Sequence, residues 1–196
     1  MEQVERRVAV QAEIRRESRA TGGAVIAGYA AVFNVLSDDL GGFREVIAPG
    51  AFRDTIAVAD IRALVNHDPN LILGRTASGT LRLVEDDKGL AFEVDLPDTQ
   101  VARDLTASVE RRDISQMSFS FERLDDEWER GTPDIRTLKK VTLFDVALVT
   151  FPAYPQTEVA LRSHQAWLST EFAPPVGAAG FTGHRRRLLD LKGRGG

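Results

Sequence analysis

The stretch DISQMSFSFE, residues 113–122, places two serines among large apolar side chains. Successive side chains of a β-strand point to opposite faces of a sheet. The methionine and the two phenylalanines therefore share one face, which we expect to lie on the core. Ser118 and Ser120 share the other face. Strand alternation alone leaves open whether this serine face is a solvated surface or part of an active site.

Hydrophobic periodicity predicts a β-rich domain around this stretch. The main exception is 98–113, where Val101, Leu105 and Val109 follow one another at helical spacing behind an Asp/Thr start and predict an amphipathic helix. A brief helix is expected over about 51–58. The predicted strands lie from Val8 to Ile14, over 24–33, at the start of 43–52, over 61–68, as a hairpin in 80–97, over 113–122, and as one or two strands in 135–152. The stretch 124–134 between the last two is polar.

Length and composition predict one globular domain. A chain of 196 residues that is 43% hydrophobic can bury one substantial core. The net charge of -4 argues against binding to nucleic-acid phosphates, which requires clustered Lys and Arg. Zero cysteines exclude disulfides and thiolate metal sites, and no run of about 18 apolar residues that could span a membrane occurs. We therefore expect a soluble protein without nucleic-acid or membrane partners.

The character of the chain changes after Arg162. Residues 163–196 contain five Lys or Arg against two acidic residues and are rich in Pro, Gly and Ala. This composition predicts a domain over 1–162 and a flexible basic tail over 163–196. His164 and His184 would then lie in the tail, which leaves His67 as the one well-placed imidazole.

Asp145 needs a partner, because its neighbours in VTLFDVALVT (141–150) are mostly apolar and a buried unpaired carboxylate is costly. A backbone amide, a basic side chain such as Arg82 or Lys140, or His67 could supply that partner. In the last case the carboxylate would fix the imidazole tautomer and leave the other ring nitrogen to accept a serine proton. On residue type alone, a single His at a strand end is more often a structural residue than a catalytic one. A metal site is not indicated, because no second group of metal ligands with the usual spacing accompanies His67.

Six stretches follow one another along the chain: GYAAVFNV (28–35), EVIAPGAF (45–52), ALVNHDPNLILGR (63–75), GLAFEVDLP (89–97), ISQMSFSF (114–121) and LFDVALVTFPAYPQTEV (143–159). Together they resemble the prohead maturation proteases of tailed bacteriophages, whose fold is similar to that of the herpesvirus capsid proteases. The resemblance covers roughly residues 24–160. Its distinctive feature is the order of a His in an N-H-D context, a Ser in M-S-F-x-F, and an acid before V-x-L-V-T-x-P-A.

The resemblance implies an α+β fold with a β-barrel-like, mostly antiparallel sheet core and a few flanking helices. It also implies a serine endopeptidase with Ser118 as nucleophile and His67 as base. The third member of this catalytic triad would be Asp145, at a position where the family commonly has Glu. Ser120 occupies a position at which the family usually has a small residue, and the resemblance implies that it borders the substrate-binding site and leaves room for substrate. No G-x-S-x-G elbow occurs, so the α/β-hydrolase arrangement is not supported.

The same resemblance suggests oxyanion or substrate contacts for Gly74 and Arg75, because LGRT matches a recurrent family motif. The alternative for Arg75 is a salt bridge on the surface. We expect neither a cofactor nor a metal ion.

The implied partners are the major capsid protein with its scaffolding segment, and the protease itself. Self-cleavage would fall near 169–173 or 177–180, and the herpesvirus relatives imply a dimer. The protease would act inside the assembling procapsid, in the cytoplasm of the bacterial host. The alternative is a catalytically inactive capsid assembly or scaffolding protein that retains the fold. Such a protein would be expected to lack a member of the triad, and this sequence lacks none.

Overall fold

Two sheets enclose one hydrophobic core in the computed structural model, which describes residues 4–9, 13–18, 23–151 and 158–171. The larger sheet has the strand order β1-β9-β10-β5-β6, with β4 also paired to β10; the smaller has the order β2-β3-β8-β7. The elements are β1 (Val4–Val8), β2 (Ile14–Ser18), β3 (Ala24–Val32), β4 (Phe43–Ile47), α1 (Arg53–Val58), β5 (Arg62–Val65), β6 (Asp68–Arg75), β7 (Leu81–Glu85), β8 (Gly89–Asp95), α2 (Gln100–Glu110), β9 (Gln116–Glu129), β10 (Asp134–Val149) and α3 (Glu158–Glu171).

The α+β class with mainly antiparallel sheets is confirmed. Helix α2 also forms where it was predicted, and the hydroxyl of Thr99 caps it by accepting a hydrogen bond from the backbone N–H of Ala102 at 3.3 Å. Its buried stripe is Ala102, Leu105 and Val109, whereas Val101 is partly exposed. Within the described ranges, every helix is too short or too polar to span a membrane.

Strand β9 continues to Glu129, well beyond the 113–122 stretch over which a strand was predicted. Two side chains of this extension have specific partners. Asp126 accepts a 2.7 Å hydrogen bond from Nε of the buried Arg136, and the ring of Trp128 lies 4.9 Å from that of Phe43. The polar composition of 124–134 did not indicate this extension, which pairs with β10 and is stabilised by these side-chain contacts.

The continuous strand predicted from Val8 to Ile14 is also wrong. Val8 ends β1 in the larger sheet, where it pairs with Ser118 of β9. Ile14 begins β2 in the smaller sheet, where it pairs with Gly28 of β3. Alternation of apolar and polar residues has the same period in both sheets, so it did not reveal that the chain passes from one to the other.

Helix α3 spans the boundary that was expected after Arg162. Its His164 is buried, with Nε2 2.9 Å from Oδ2 of Asp134 and its ring stacked 5.3 Å from that of Trp128. His164 therefore belongs to the packed part of the chain, not to a flexible tail. His184 and the 177–180 segment lie outside the described residues.

A cluster of buried charges joins β1 to the rest of the larger sheet. Arg136 has no exposed surface, and its Nη1 lies 2.9 Å from Glu5 and 3.0 Å from Glu45. Arg7 adds a 2.8 Å contact from Nε to Glu45. Buried charges need such mutual pairing, and removal of one partner typically costs about 3–5 kcal/mol because the other is left uncompensated.

We predict that Glu5→Gln destabilises the protein by about 3–5 kcal/mol at neutral pH. Burial alone would raise the pKa of Glu5, but hydrogen bonds and charges from Arg136 and Arg7 outweigh it and hold the pKa below its ordinary value of 4.5. The stabilisation from Glu5 is therefore present above that value and is lost as pH falls through the lowered folded-state pKa. Denaturant unfolding from about pH 7 to about pH 3 measures both effects.

Glu110→Gln is the matched control, because Glu110 pairs with Arg16 at the exposed surface. It should change the unfolding free energy by no more than about 0.5 kcal/mol. An equal loss in both variants, or an unchanged acid dependence in Glu5→Gln, would contradict the role assigned to the cluster.

Candidate active site

Three side chains converge on the face of the larger sheet opposite the main core. Nδ1 of His67 lies 2.5 Å from Oδ1 of Asp145, and Nε2 lies 2.7 Å from Oγ of Ser118. An ionised carboxylate only accepts hydrogen bonds, so in the neutral imidazole Nδ1 holds the proton and Nε2 is the acceptor for the serine hydroxyl. We call these three residues the site triad.

A one-residue bulge in β10 aims Asp145 at this face. Leu143 pairs with Phe121, but Asp145 pairs with Ser120, so β10 has an extra residue, Phe144, relative to β9. A bulge of this kind reverses which positions of a strand face the core. Leu143 before the bulge and Val146 after it can therefore both lie in the main core, while Asp145 points to the other side.

Ser118 and Ser120 lie on the triad face of β9, and the aromatic rings between and beside them anchor the opposite face. Phe119 meets Phe52 edge-on at 5.5 Å and lies 5.2 Å from Phe121. Both serines are buried, and Ser118 has no exposed surface. The Ser118 hydroxyl is therefore shielded from solvent.

His67 reaches the other two residues from a two-residue turn between β5 and β6. Asn66 and His67 both have positive φ, 52° and 57°, a combination found in tight hairpin turns that favours Asn at the first position. The sequence interpretation placed His67 at a strand end but missed Asn66, whose side chain bonds to Thr150. The Asn in the N-H-D motif was the available signal, because Asn tolerates positive φ.

Arg82 and Lys140, the basic alternatives for Asp145, are paired elsewhere. Asp95 accepts from Arg82 at 2.8 Å and raises the pKa of that guanidinium. Asp54 lies 2.5 Å from Nζ of Lys140 and raises the pKa of that ammonium. The contact that the structure describes for Asp145 is the one with His67.

Gly74 and Arg75 have structural contacts of their own. A Cβ at Gly74 would come within 2.5 Å of the Val94 side chain and 2.9 Å of the Thr80 carbonyl, so glycine permits β6 to approach the smaller sheet closely. Nε of Arg75 donates to both carboxylate oxygens of Asp60 at 2.8 Å, which is the surface salt bridge foreseen as the alternative. Oxyanion contacts for this pair stay a prediction.

The geometry of the site triad suits nucleophilic acyl transfer. A hydroxyl, an imidazole and a carboxylate in series supply a nucleophile, a general base and a group that orients the base. Within the described ranges, no group of three or more His, Asp and Glu side chains is arranged to hold a metal ion.

One protein family matches a range of the chain that contains all three residues of the site triad. Residues 11–169 match the family model described as caudovirus prohead serine protease. Among solved structures, the chain resembles the bacteriophage T4 capsid assembly protease, with 9% identity and a TM-score of 0.48 over 76% of this chain and 99% of that chain. No curated protein sequence matches the chain significantly.

We predict that a fluorophosphonate probe labels the protein at Ser118, since such probes react with serines activated by a neighbouring base. Ser118→Ala should abolish labelling, and His67→Ala should slow it by a factor of about 10²–10⁴, the usual effect of losing a general base. Intact-mass measurement followed by peptide mapping gives both the rate and the position.

Ser120→Ala is the matched control for this experiment. It removes a hydroxyl from the same face of the same strand, two residues away, and should leave the labelling rate within a few-fold of wild type. Labelling that persists in Ser118→Ala but disappears in Ser120→Ala would assign the nucleophile to Ser120.

Proposed function

The chain belongs to the caudovirus prohead serine protease family, and we propose that Ser118, His67 and Asp145 are the catalytic triad with which it cleaves peptide bonds. The family makes the protein a serine-type endopeptidase of phage prohead maturation. The observation that supports the three roles is the unbroken series of contacts from carboxylate to imidazole to hydroxyl, 2.5 and 2.7 Å long.

Acylation follows from the protonation pattern of the triad. Nε2 of His67 takes the Ser118 proton as Oγ attacks the peptide carbonyl carbon; this carbon becomes tetrahedral, and its former carbonyl oxygen becomes an oxyanion. The imidazolium then donates that proton to the leaving amine, the C–N bond breaks, and an ester to Ser118 remains. Asp145 accepts from Nδ1–H throughout and stabilises the imidazolium charge.

Deacylation repeats these steps with water. Nε2 of His67 takes a proton from water as its oxygen attacks the ester, and the proton passes to Ser118 Oγ as the C–O bond breaks. The peptide leaves as a carboxylic acid, and the enzyme is regenerated. Gly74 and Arg75 are weaker proposals for the oxyanion donors, because Val94 packs against the first and Asp60 holds the second.

The shorter Asp145 can replace the Glu common in the family. An Asp must approach the imidazole by about one extra methylene, and the bulge at Phe144 turns the backbone of β10 at this point. The resulting 2.5 Å contact supports a full orienting role for this carboxylate.

The family places the activity inside the assembling procapsid, on capsid proteins. More specifically, we propose the scaffolding segment of the major capsid protein as substrate, together with self-cleavage in the C-terminal region, action in the host cytoplasm and a dimeric state. A catalytically inactive assembly protein is not favoured, because such a protein has no need for a carboxylate, imidazole and hydroxyl in bonding series.

Co-expression with the cognate capsid protein tests the triad. Ser118→Ala should abolish cleavage, and Asp145→Asn should reduce its rate by about 10³–10⁴-fold, because the amide favours the wrong imidazole tautomer. Asp145→Glu should retain far more activity than Asp145→Asn, since it keeps the carboxylate. The mass of the capsid protein over time reports each rate.

Ser120→Ala again serves as the control and should process the capsid protein normally. Cleavage by Ser118→Ala at the wild-type rate would refute the assignment of the nucleophile. Equal rates for Asp145→Asn and wild type would instead remove Asp145 from the mechanism.

A further inference from the structure

We propose that Asn66 is a positioning residue that holds His67 over Ser118 by binding the end of β10 through its side chain. The proposal rests on the catalytic role proposed for His67. Asn66 and Thr150 form what we call the turn clamp, which ties the β5–β6 turn to β10, the strand that also holds Asp145.

Three hydrogen bonds make up the attachment. The backbone N–H of Asn66 donates to the Leu148 carbonyl at 2.9 Å, which continues the parallel pairing of β5 with β10. The side-chain Oδ1 of Asn66 accepts from the backbone N–H of Thr150 at 2.9 Å. The side-chain Nδ2 donates to the Thr150 hydroxyl at 3.1 Å.

The second bond replaces one that the backbone cannot make. In a parallel ladder, a residue that donates to Leu148 would use its own carbonyl to accept from Thr150 two residues further along β10. At Asn66 the chain instead turns with positive φ, and the side-chain carbonyl takes over as acceptor. The amide thus completes the ladder while the backbone leaves the sheet and delivers His67 to the triad face.

Asparagine meets both requirements of position 66, a positive φ and a side chain that can bind Thr150. Asn adopts positive φ more readily than most residues, and its side chain has an acceptor and a donor on one planar group. Glycine would satisfy the first requirement alone. Comparison of Asn with Gly at this position therefore separates the clamp from the turn conformation.

The turn clamp affects catalysis through the position of His67. His67 must satisfy Ser118 and Asp145 at the same time, at 2.7 and 2.5 Å. A misplacement of about 1 Å can reduce the rate of a catalysed step by about 10²-fold. Loss of the clamp should therefore lower kcat by about ten- to a hundredfold, with little change in KM, because Asn66 is not proposed to contact substrate.

The test compares Asn66→Gly with Asn34→Gly in the full chain. Asn34 also has positive φ, 57°, and donates its backbone N–H to the Ile47 carbonyl, so its replacement repeats the chemical change away from the triad. Asn66→Gly should show the drop in kcat, and Asn34→Gly should match wild type. Asn66→Asp keeps an acceptor for Thr150 N–H and should restore most of kcat on the plateau of the pH profile.

A second readout does not depend on cleavage. In a Ser118→Ala background, the proton between His67 Nδ1 and Asp145 should give a far-downfield NMR resonance. Added Asn66→Gly should broaden or shift this signal, and added Asn34→Gly should leave it unchanged. Persistent cleavage by Ser118→Ala would refute the proposed nucleophile, while this comparison would still decide the role of Asn66.

If Asn66→Gly fails to fold, Thr150→Val and Thr150→Ser decide the question, since they remove and restore the hydroxyl without altering the turn. A severalfold lower kcat in Thr150→Val with recovery in Thr150→Ser supports the clamp. The proposal would be overturned if a folded Asn66→Gly variant kept the wild-type kcat and an unchanged resonance. If only the Thr150 variants fold, the same result in Thr150→Val would overturn it.

Discussion

The candidate site depends on a constraint of β-sheet geometry, the strict alternation of side chains between two faces. Leu143 and Val146 both belong to the main core although they are three residues apart, which a regular strand would forbid. The bulge at Phe144 resolves this conflict and turns Asp145 to the face that holds Ser118. Without the extra residue, either the carboxylate would enter the core or Val146 would leave it. One local irregularity thus serves packing and chemistry together.

The proposed nucleophile, Ser118, lies on a strand that is paired on both sides. Strand β9 lies between β1 and β10, so Ser118 has Val8 on one side and Ala147 on the other. Buried ion pairs attach β1, because Glu5 and Arg7 share the cluster around Arg136. Strand β1 precedes the residues matched by the family model, which begin at 11. A segment outside the family match therefore supports the strand that holds Ser118.

The three triad residues differ in how they are supported. Ser118 and Asp145 are on neighbouring strands, where ladder hydrogen bonds restrict the backbone. His67 lies in a turn, and turns are held by fewer bonds than strand interiors. The contacts of Asn66 with Thr150 connect this turn to β10 just beyond its last ladder pair. His67 is thereby fixed to the strand that also supplies its carboxylate partner, Asp145.

Local pattern was sufficient for elements whose signals lie within a few residues. Periodicity was enough to predict Leu105 and Val109 on the buried face of α2, the hairpin of β7 and β8, and the core-facing rings of β9. The family resemblance identified His67, Ser118 and Asp145 as residues that should meet. Periodicity alone could not, since those residues are separated by 51 and 78 positions along the chain.

Other features depended on partners that are distant in sequence. The extension of β9 to Glu129 requires Arg136 and Phe43, and the division of the N-terminal pattern between two sheets requires β3 and β9. The packing of His164 depends on Asp134 and Trp128. The sequence by itself determined the strand and helix faces and, through its motifs, the chemical groups of the site. Only the tertiary structure decided the bulge, the clamp and the burial of charges, because each balances interactions between segments whose contact no local pattern encodes.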